Sequence, residues 1–132
     1  MANRVKVSVP TYYYQFDQQG VAFNMWYLAF IEQARNAYLA AQGYSLGDLL
    51  ASGHDIQLVH VELDWSAALR FGEPLEVEVS LEHAGTTSFS IRHVLSVHEH
   101  ERAVAVVSYV IIDAATNSKA ALPDGLRTAL AR

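Results

Sequence analysis

An α+β domain is what the sequence predicts, with one long apolar helix enclosed by a strongly curved antiparallel sheet. Three observations carry this reading. From Met25 to Gln42 the apolar residues occupy most of a helical circumference; alternating strand patterns fill most of residues 59–113; and the connections between those strands are short turns. Helix and strands are thus segregated along the chain, and consecutive strands with short connections pair antiparallel. The chain has 132 residues, 52% hydrophobic and 17% charged, which suits one domain over residues 1–132.

The first strand is expected from Arg4 to Tyr14, where Val5, Val7, Val9, Thr11 and Tyr13 alternate with Lys6, Ser8, Pro10, Tyr12 and Tyr14. Pro10 marks an edge or a bulge. The turn-forming segment Asp17-Gln-Gln-Gly20 follows, and Asn24 stands where an N-cap would accept an amide hydrogen bond, so the helix is expected to start there. Along it Glu32, Gln33, Arg35 and Asn36 form one narrow polar stripe. Trp26, Tyr27, Phe30, Ile31, Ala34, Tyr38 and Ala41 fill the rest, a face wide enough to require burial on more than one side. Gly43 is placed to end this helix, and Ser45 to Ala51 reads as a second, short one closed by Ser52-Gly53.

Two one-sided strands come next. Val59, Val61, Leu63 and Trp65 alternate with His60, Glu62 and Asp64, and Leu75 to Leu81 alternates with Glu76 to Glu82. After the turn Ala84-Gly85-Thr86-Thr87 a strand marked by Phe89, Ile91, Leu95 and Val97 runs towards His98, and His100-Glu101-Arg102 turns into a last strand, Ala103 to Asp113. Leu122 to Leu130, opened by Pro123 and Asp124, is a terminal helix.

Composition excludes several classes of function. A formal charge of −5 with nine scattered basic residues offers no surface for a phosphate backbone or an anionic membrane. With no cysteine there is no disulfide framework, thiolate metal site or cysteine nucleophile. The start, MANRVKVSVP, lacks the apolar core of a signal peptide, so a cytoplasmic location is expected. The longest apolar stretch, Ala103 to Ile112, falls short of the roughly 20 residues of a spanning helix, and no membrane insertion is expected. Ser66, Ser88 and Ser108 have no Gly-x-Ser-x-Gly context. The histidines are dispersed apart from His98-x-His100 at a turn, so no metal site is expected.

Asp17 lies in the loop that enters the N-terminus of the buried helix. Free amides at such an end would stabilise an oxyanion while a nearby carboxylate attacks or activates water. An aspartate before a helix also commonly serves only to solvate its turn. On pattern alone, both readings stand.

The stretch FDQQGVAFNMWYLAFIEQAR, Phe16 to Arg35, resembles the signature of the 4-hydroxybenzoyl-CoA thioesterase-like family of hotdog-fold acyl-CoA thioesterases. That signature runs Asp, two residues, Gly-Val or Gly-Ile, an aromatic, His or Asn, and Tyr, with Glu-x-x-Arg further along the helix. Here these are Asp17, Gly20-Val21, Phe23, Asn24, Tyr27, Glu32 and Arg35. Gly43-Tyr44-Ser45 and Arg70-Phe71-Gly72-Glu73-Pro74-Leu75 resemble two further family landmarks, so the likeness spans nearly the whole chain.

The resemblance implies the hotdog fold, a curved antiparallel sheet wrapped around one long central helix. It implies hydrolysis of an acyl-CoA thioester with Asp17 as nucleophile or general base and the main-chain amide at or near Asn24 polarising the carbonyl. Gly20, Tyr27 and His60 would bind the substrate at its acyl end, and the turn Gly85, Thr86, Thr87 and Ser88 would contact coenzyme A. No metal or cofactor is implied, coenzyme A entering only as part of the substrate. The family also implies a homodimer or homotetramer with active sites between subunits. Three departures stand out: Gln15 replaces a frequent second Asp, Asn24 replaces a frequent His, and the 85–88 turn carries no basic residue, which leaves Arg92, Arg70 or another subunit to supply charge.

Tyr12, Tyr13, Tyr14, Phe16, Phe23, Trp26 and Tyr27 concentrate aromatic rings around the same region; core packing explains most of them, and some would line an acyl or aryl pocket. Two rivals remain on the residues: a hotdog enoyl-thioester hydratase or dehydratase, which needs a His that the helix entry lacks, and a non-catalytic acyl-thioester-binding protein. An acyl carrier protein is disfavoured as donor, since both partners would be acidic.

Overall fold

The structure, a computed structural model, describes residues 3–132. Strand β1 (Arg4–Val9) is followed by a 3-10 turn at Tyr13–Gln15, helix α1 (Trp26–Ala41), helix α2 (Leu46–Ala51), and strands β2 (His54–Trp65), β3 (Leu75–Ala84), β4 (Ser88–Val97) and β5 (His100–Asp113). Helix α3 (Asp124–Leu130) ends the chain. The strands form one sheet in the order β1-β3-β4-β5-β2, every pair antiparallel. This is the expected sheet around a long helix.

Period-2 alternation produces the inner face. Val77 and Val79, Ile91 and Leu95, and Ala105, Val107, Tyr109 and Ile111 are buried, while Glu76, Glu78, Arg92 and Ser96 between them stay partly exposed. The β4–β5 hairpin turns through His98 and Glu99, both with positive φ, as a two-residue turn matched to strand twist requires.

Three strands depart from expectation: β5 begins at His100 rather than Ala103, because the turn before it takes only His98 and Glu99, and β1 and β2 depart for local reasons. β1 stops at Val9, because Pro10 has no N–H to give the ladder and the chain then coils into the 3-10 turn. β2 starts at His54 and shifts register between Leu58 and His60, so Val59 is an extra, exposed residue rather than part of the inward row. Ile56 and Leu58 face the same side as Val61 and Leu63 only because of that bulge. Both β1 and β2 are edge strands.

Helix α1 buries Tyr27, Phe30, Ile31, Ala34, Tyr38 and Leu39. It begins at Trp26, with Met25 as a cap residue that makes no side-chain bond, so Asn24 is not the N-cap. It ends as Gly43 predicts: Gly43 adopts φ +95, its N–H donates to Ala40 O and the Tyr44 N–H donates to Leu39 O, which together satisfy two terminal carbonyls. α2 starts with a reciprocal cap between Ser45 and Asp48. α3 docks against the end of α1, where Gln42 Nε2 donates to Ala129 O at 3.0 Å. Gly125 permits this approach, since a Cβ there would lie 2.7 Å from the Tyr44 ring.

The expected polar stripe of α1 holds for Glu32, Gln33 and Asn36 but not for Arg35, and Ala41, expected on the apolar face, is exposed. Arg35 is 4% exposed, ion-paired to Glu32 at 2.6 Å and lying 4.9 Å from the centre of the Tyr109 ring. The i,i+3 carboxylate and the ring face together compensate the burial of its charge. Burial pushes the Tyr109 hydroxyl up to about 12.

His93, on the inner face of β4, is fully buried with neither ring nitrogen hydrogen-bonded. Burial foremost, with the Arg35 charge adding to it, lowers its pKa from 6.5 to about 4. Between those values the unfolded chain binds a proton that the folded chain refuses. Stability is therefore complete above pH 6.5 and declines as pH falls towards 4, at no more than about 1.4 kcal/mol per pH unit. Urea unfolding at pH 7.0 and 5.0 should show this loss in the wild type and a flatter profile in His93→Leu; parallel profiles would exclude His93 as the source.

Candidate active site

The chain enters α1 through a tight hairpin. Phe16 bridges Ala22, Asp17 N–H donates to Val21 O at 2.9 Å, and Phe23 N–H donates to Gln15 O at 3.0 Å. Gly20 closes the turn with φ +77, a left-handed conformation, and its N–H donates to Asp17 O. Asp17 Oδ1 accepts from the Gln19 N–H at 2.8 Å and from the Val21 N–H at 3.3 Å. Oδ2 has no hydrogen-bond partner among the described residues, and the side chain is exposed. Gln15 is buried, its Oε1 accepting the Tyr12 N–H at 2.8 Å, so this departure from the family pattern closes the 3-10 turn.

Beside this hairpin a cavity of about 340 Å3 opens at the N-terminal end of α1. Val21, Ala22, Asn24 and Tyr27 form one wall, and Trp65, Ser66, Ala67 and Ala68 form the other. Asn24 and Tyr27 are therefore brought together, and Asp17 stands beside the cavity through its bonded partner Val21 rather than in its lining. The N–H groups of Asn24 and Met25 have no hydrogen-bond acceptor among the described residues. They are the free amides of a helix entrance, with partial positive charge directed outward.

Tyr27 is fixed in place. Its ring meets Phe30 and Trp65 edge to face, its hydroxyl accepts the Leu69 N–H at 3.2 Å, and burial raises its pKa. It is a wall of the cavity and also part of the core. Half-exposed Trp65 presents a flat aromatic surface. The aromatic cluster differs from the expected core packing: Tyr12, Tyr13, Tyr14 and Phe23 are exposed, Tyr12 stacking on Tyr14 and Tyr14 meeting Trp26 edge to face.

The other predicted residues lie elsewhere in the single chain. His60 points to the outer face of the sheet, opposite Ser108 and 3.4 Å from Glu62, and does not line the cavity. Gly85, Thr86, Thr87 and Ser88 form the β3–β4 turn at the end of the sheet that holds His54 and Asp113, opposite the end that holds Trp65 and Ala103. Arg127 of α3 reaches this turn and donates to Gly85 O at 2.7 Å. It places a cation at a turn whose own sequence lacks one, in addition to the expected sources Arg92, Arg70 or another subunit. No local pattern marks it, because the contact joins residues 42 positions apart. Trp65 to Ala68 were missed for a related reason: Trp65 reads as the end of a strand, Ser66 to Ala68 carry no motif, and only the fold sets them against α1.

A carboxylate with one free oxygen, unpartnered amides and an adjoining cleft of mixed polar and apolar lining provide groups that attack on a carbonyl requires: a base or nucleophile, a place for developing negative charge, and room for the reacting group.

A family model described as the thioesterase-like superfamily matches residues 15–130. A 1,4-dihydroxy-2-naphthoyl-CoA hydrolase of Synechococcus elongatus is 26% identical over 113 residues, covering 84% of this chain and 83% of that protein. A crystal structure of a 1,4-dihydroxy-2-naphthoyl-CoA thioesterase from Synechocystis superposes with a TM-score of 0.87 at 24% identity, over 98% of this chain and 96% of that one. A thioesterase from Thermus thermophilus, complexed with coenzyme A and zinc, superposes at 0.80 with 22% identity, over 95% and 90%.

Because Gly20 needs a left-handed backbone but has nothing within 4 Å of an added Cβ, strain alone should govern its substitution. Gly20→Ala should lower unfolding free energy by about 1 kcal/mol, and Gly20→Asn by less, in denaturant titrations. Equal stability of all three proteins would show that the hairpin relaxes out of this conformation.

Proposed function

The chain belongs to the thioesterase-like superfamily, and from that membership we propose that it is an acyl-CoA thioesterase that hydrolyses its substrate at the α1 entrance. The observation that carries the reading is the cavity at the start of α1, flanked by the unpartnered amides of Asn24 and Met25 and by the Asp17 hairpin. In the proposed reaction the thioester carbonyl lies against these amides, which take up the charge of the tetrahedral intermediate. Asp17 either attacks the carbonyl, giving a mixed anhydride that water then hydrolyses, or takes the proton of a water that attacks directly. In both routes the C–S bond breaks, and the coenzyme A thiolate takes up the proton released from water to leave as the thiol. Tyr27 and Trp65 hold the acyl group. A volume of about 340 Å3, at the lower end of ligand cavities, together with the flat Trp65 surface, favours an aryl acyl group over a long extended chain. The naphthoyl-CoA specificity in the names of the relatives above points the same way.

The functional unit in this reading is a homodimer. β2 is a long edge strand with exposed Leu58, Val59 and Trp65, so its ladder is open to a second copy. Antiparallel β2–β2 pairing about a twofold axis sets the Trp65 end of one chain beside the His54 end of the other. The partner's Gly85–Ser88 turn, with its Arg127, would then flank the cavity and receive the phosphates of coenzyme A, and His60 would lie close to the seam. This pairing overcomes the separation of the two halves of the predicted site within one chain.

Thiol release from benzoyl-, naphthoyl- and palmitoyl-CoA tests the activity and its acyl class, with the aryl esters expected to be the better substrates. Asp17→Asn should reduce kcat by at least about 100-fold; retention of wild-type kcat would remove Asp17 from the mechanism. Arg127→Gln should raise KM for acyl-CoA but not for the same acyl group on N-acetylcysteamine, which lacks phosphates, and an equal effect on both would remove Arg127 from phosphate binding.

A further inference from the structure

We propose that Arg102 and Glu73 form a positioning pair that sets the width of the cavity and so selects the acyl group, an inference that rests on the thioesterase reading above. The far wall of the cavity, residues 65–68, leads into an irregular loop that begins with the small residues Ser66, Ala67 and Ala68 and extends to β3. Ser66, Ala67 and Ala68 offer little packing of their own, the nearest core anchor being the buried Leu69 beyond them. Hydrogen bonds hold the wall, and most of them converge on one residue.

The Ser66 and Ala67 N–H groups both donate to Arg102 O, at 2.9 and 3.2 Å. The Arg102 side chain returns under the loop, where Nη1 donates to Ala68 O at 2.8 Å. Its guanidinium meets Glu73 in a two-pronged pair, Nη1 to Oε1 at 2.7 Å and Nη2 to Oε2 at 2.9 Å. Glu73 in turn accepts the Arg70 N–H at 2.6 Å. Both ends of the loop are thereby tied to the first turns of β5. Opposite this wall, the Tyr27 hydroxyl holds Leu69, and the Ala22 N–H donates to Leu69 O at 2.8 Å. The loop is stretched between two anchors, and the cavity is the gap between them. The guanidinium bond to Glu73 keeps that carboxyl below its usual range, so the pair stays charged at neutral pH.

Neither side chain lines the cavity, so the pair acts through the loop. Removing it should loosen Ser66 to Ala68, weakening acyl binding and the discrimination between acyl groups, with little effect on the Asp17 step. Glu73→Gln preserves volume and removes the charge; Arg102→Lys preserves charge but cannot grip Glu73 and Ala68 together. Both variants should raise KM for the preferred aryl-CoA about tenfold while kcat changes by less than about threefold, and the ratio of aryl to long-chain kcat/KM should fall. Hydrogen–deuterium exchange on the same proteins should be faster over residues 66–71 and unaltered in α1.

A purely structural role would instead reduce kcat along with the folded fraction and raise exchange throughout, and would overturn the proposal. Unaltered exchange at 66–71 would overturn it whatever the kinetics. If the wild type releases thiol from no acyl-CoA, the thioesterase reading fails and selection of an acyl group fails with it, while the exchange result still decides whether the pair holds the loop.

Discussion

The burial of α1 against the inner face of the sheet is the constraint on which the other features depend. Its buried face, from Tyr27 through Phe30, Ile31, Ala34 and Tyr38, meets an inner row of small and branched residues on β3, β4 and β5. One face of the helix is covered in this way while Leu28, Gln33 and Ala40 stay exposed, so burial is one-sided rather than on more than one side, and the ends are where its backbone groups are open. The C-terminal end is closed by Gly43 and α3, leaving the N-terminal end as the place where backbone amides meet a cleft. The same packing explains why Tyr27 is both core and cavity wall: it is the first residue of α1 to be drawn inward. A site placed here has a rigid base, because displacing Tyr27 would disturb the core as well.

The fold was legible wherever one physical rule acted alone. The inward rows of β3, β4 and β5 follow the alternation over most of their length, because each of these strands has one buried and one partly exposed face; in β3 a bulge between Leu81 and His83 ends it. Pattern failed where a second rule competed with it. Pro10 interrupted an alternation that continued to Tyr14, and the loss of its amide outweighed the pattern. The Val59 bulge reversed the phase of β2 midway, which hydrophobicity cannot reveal when Leu58 and Val59 are both apolar. Arg35 looked like surface because it is charged. Its burial depends on Glu32 one turn away and on Tyr109 in a distant strand, and only the first of these is visible locally.

The candidate site was legible in one half. Asp17, Gly20, Asn24 and Tyr27 lie close together in sequence, so a signature could mark them, and the structure gathers the last two around the cavity. The other wall has no signature. Trp65 to Ala68 and Arg102 come together only when β2 and β5 pair, and Arg127 finds the β3–β4 turn only after α3 docks. Asn24 also illustrates a difference in level. Its side chain is not the helix cap that its type predicts, yet its backbone amide is unpartnered, and the proposed chemistry needs only the amide.

The hairpin ties this chemistry to the backbone. Two amide donors hold Oδ1 of Asp17, and their positions depend on the left-handed turn at Gly20. The orientation of the second oxygen is therefore fixed by main-chain geometry rather than by neighbouring side chains. A carboxylate oriented in this way loses little freedom on approaching a bound carbonyl, which is the advantage of a preorganised group. Its partner in the proposed reaction, the amide pair at Asn24 and Met25, is also main chain. The proposed reacting centre thus rests on main chain, whereas the proposed acyl wall rests on a loop bonded to Arg102 and Glu73. In this arrangement, substitutions that change the loop can alter the preferred acyl group while the geometry of attack is conserved.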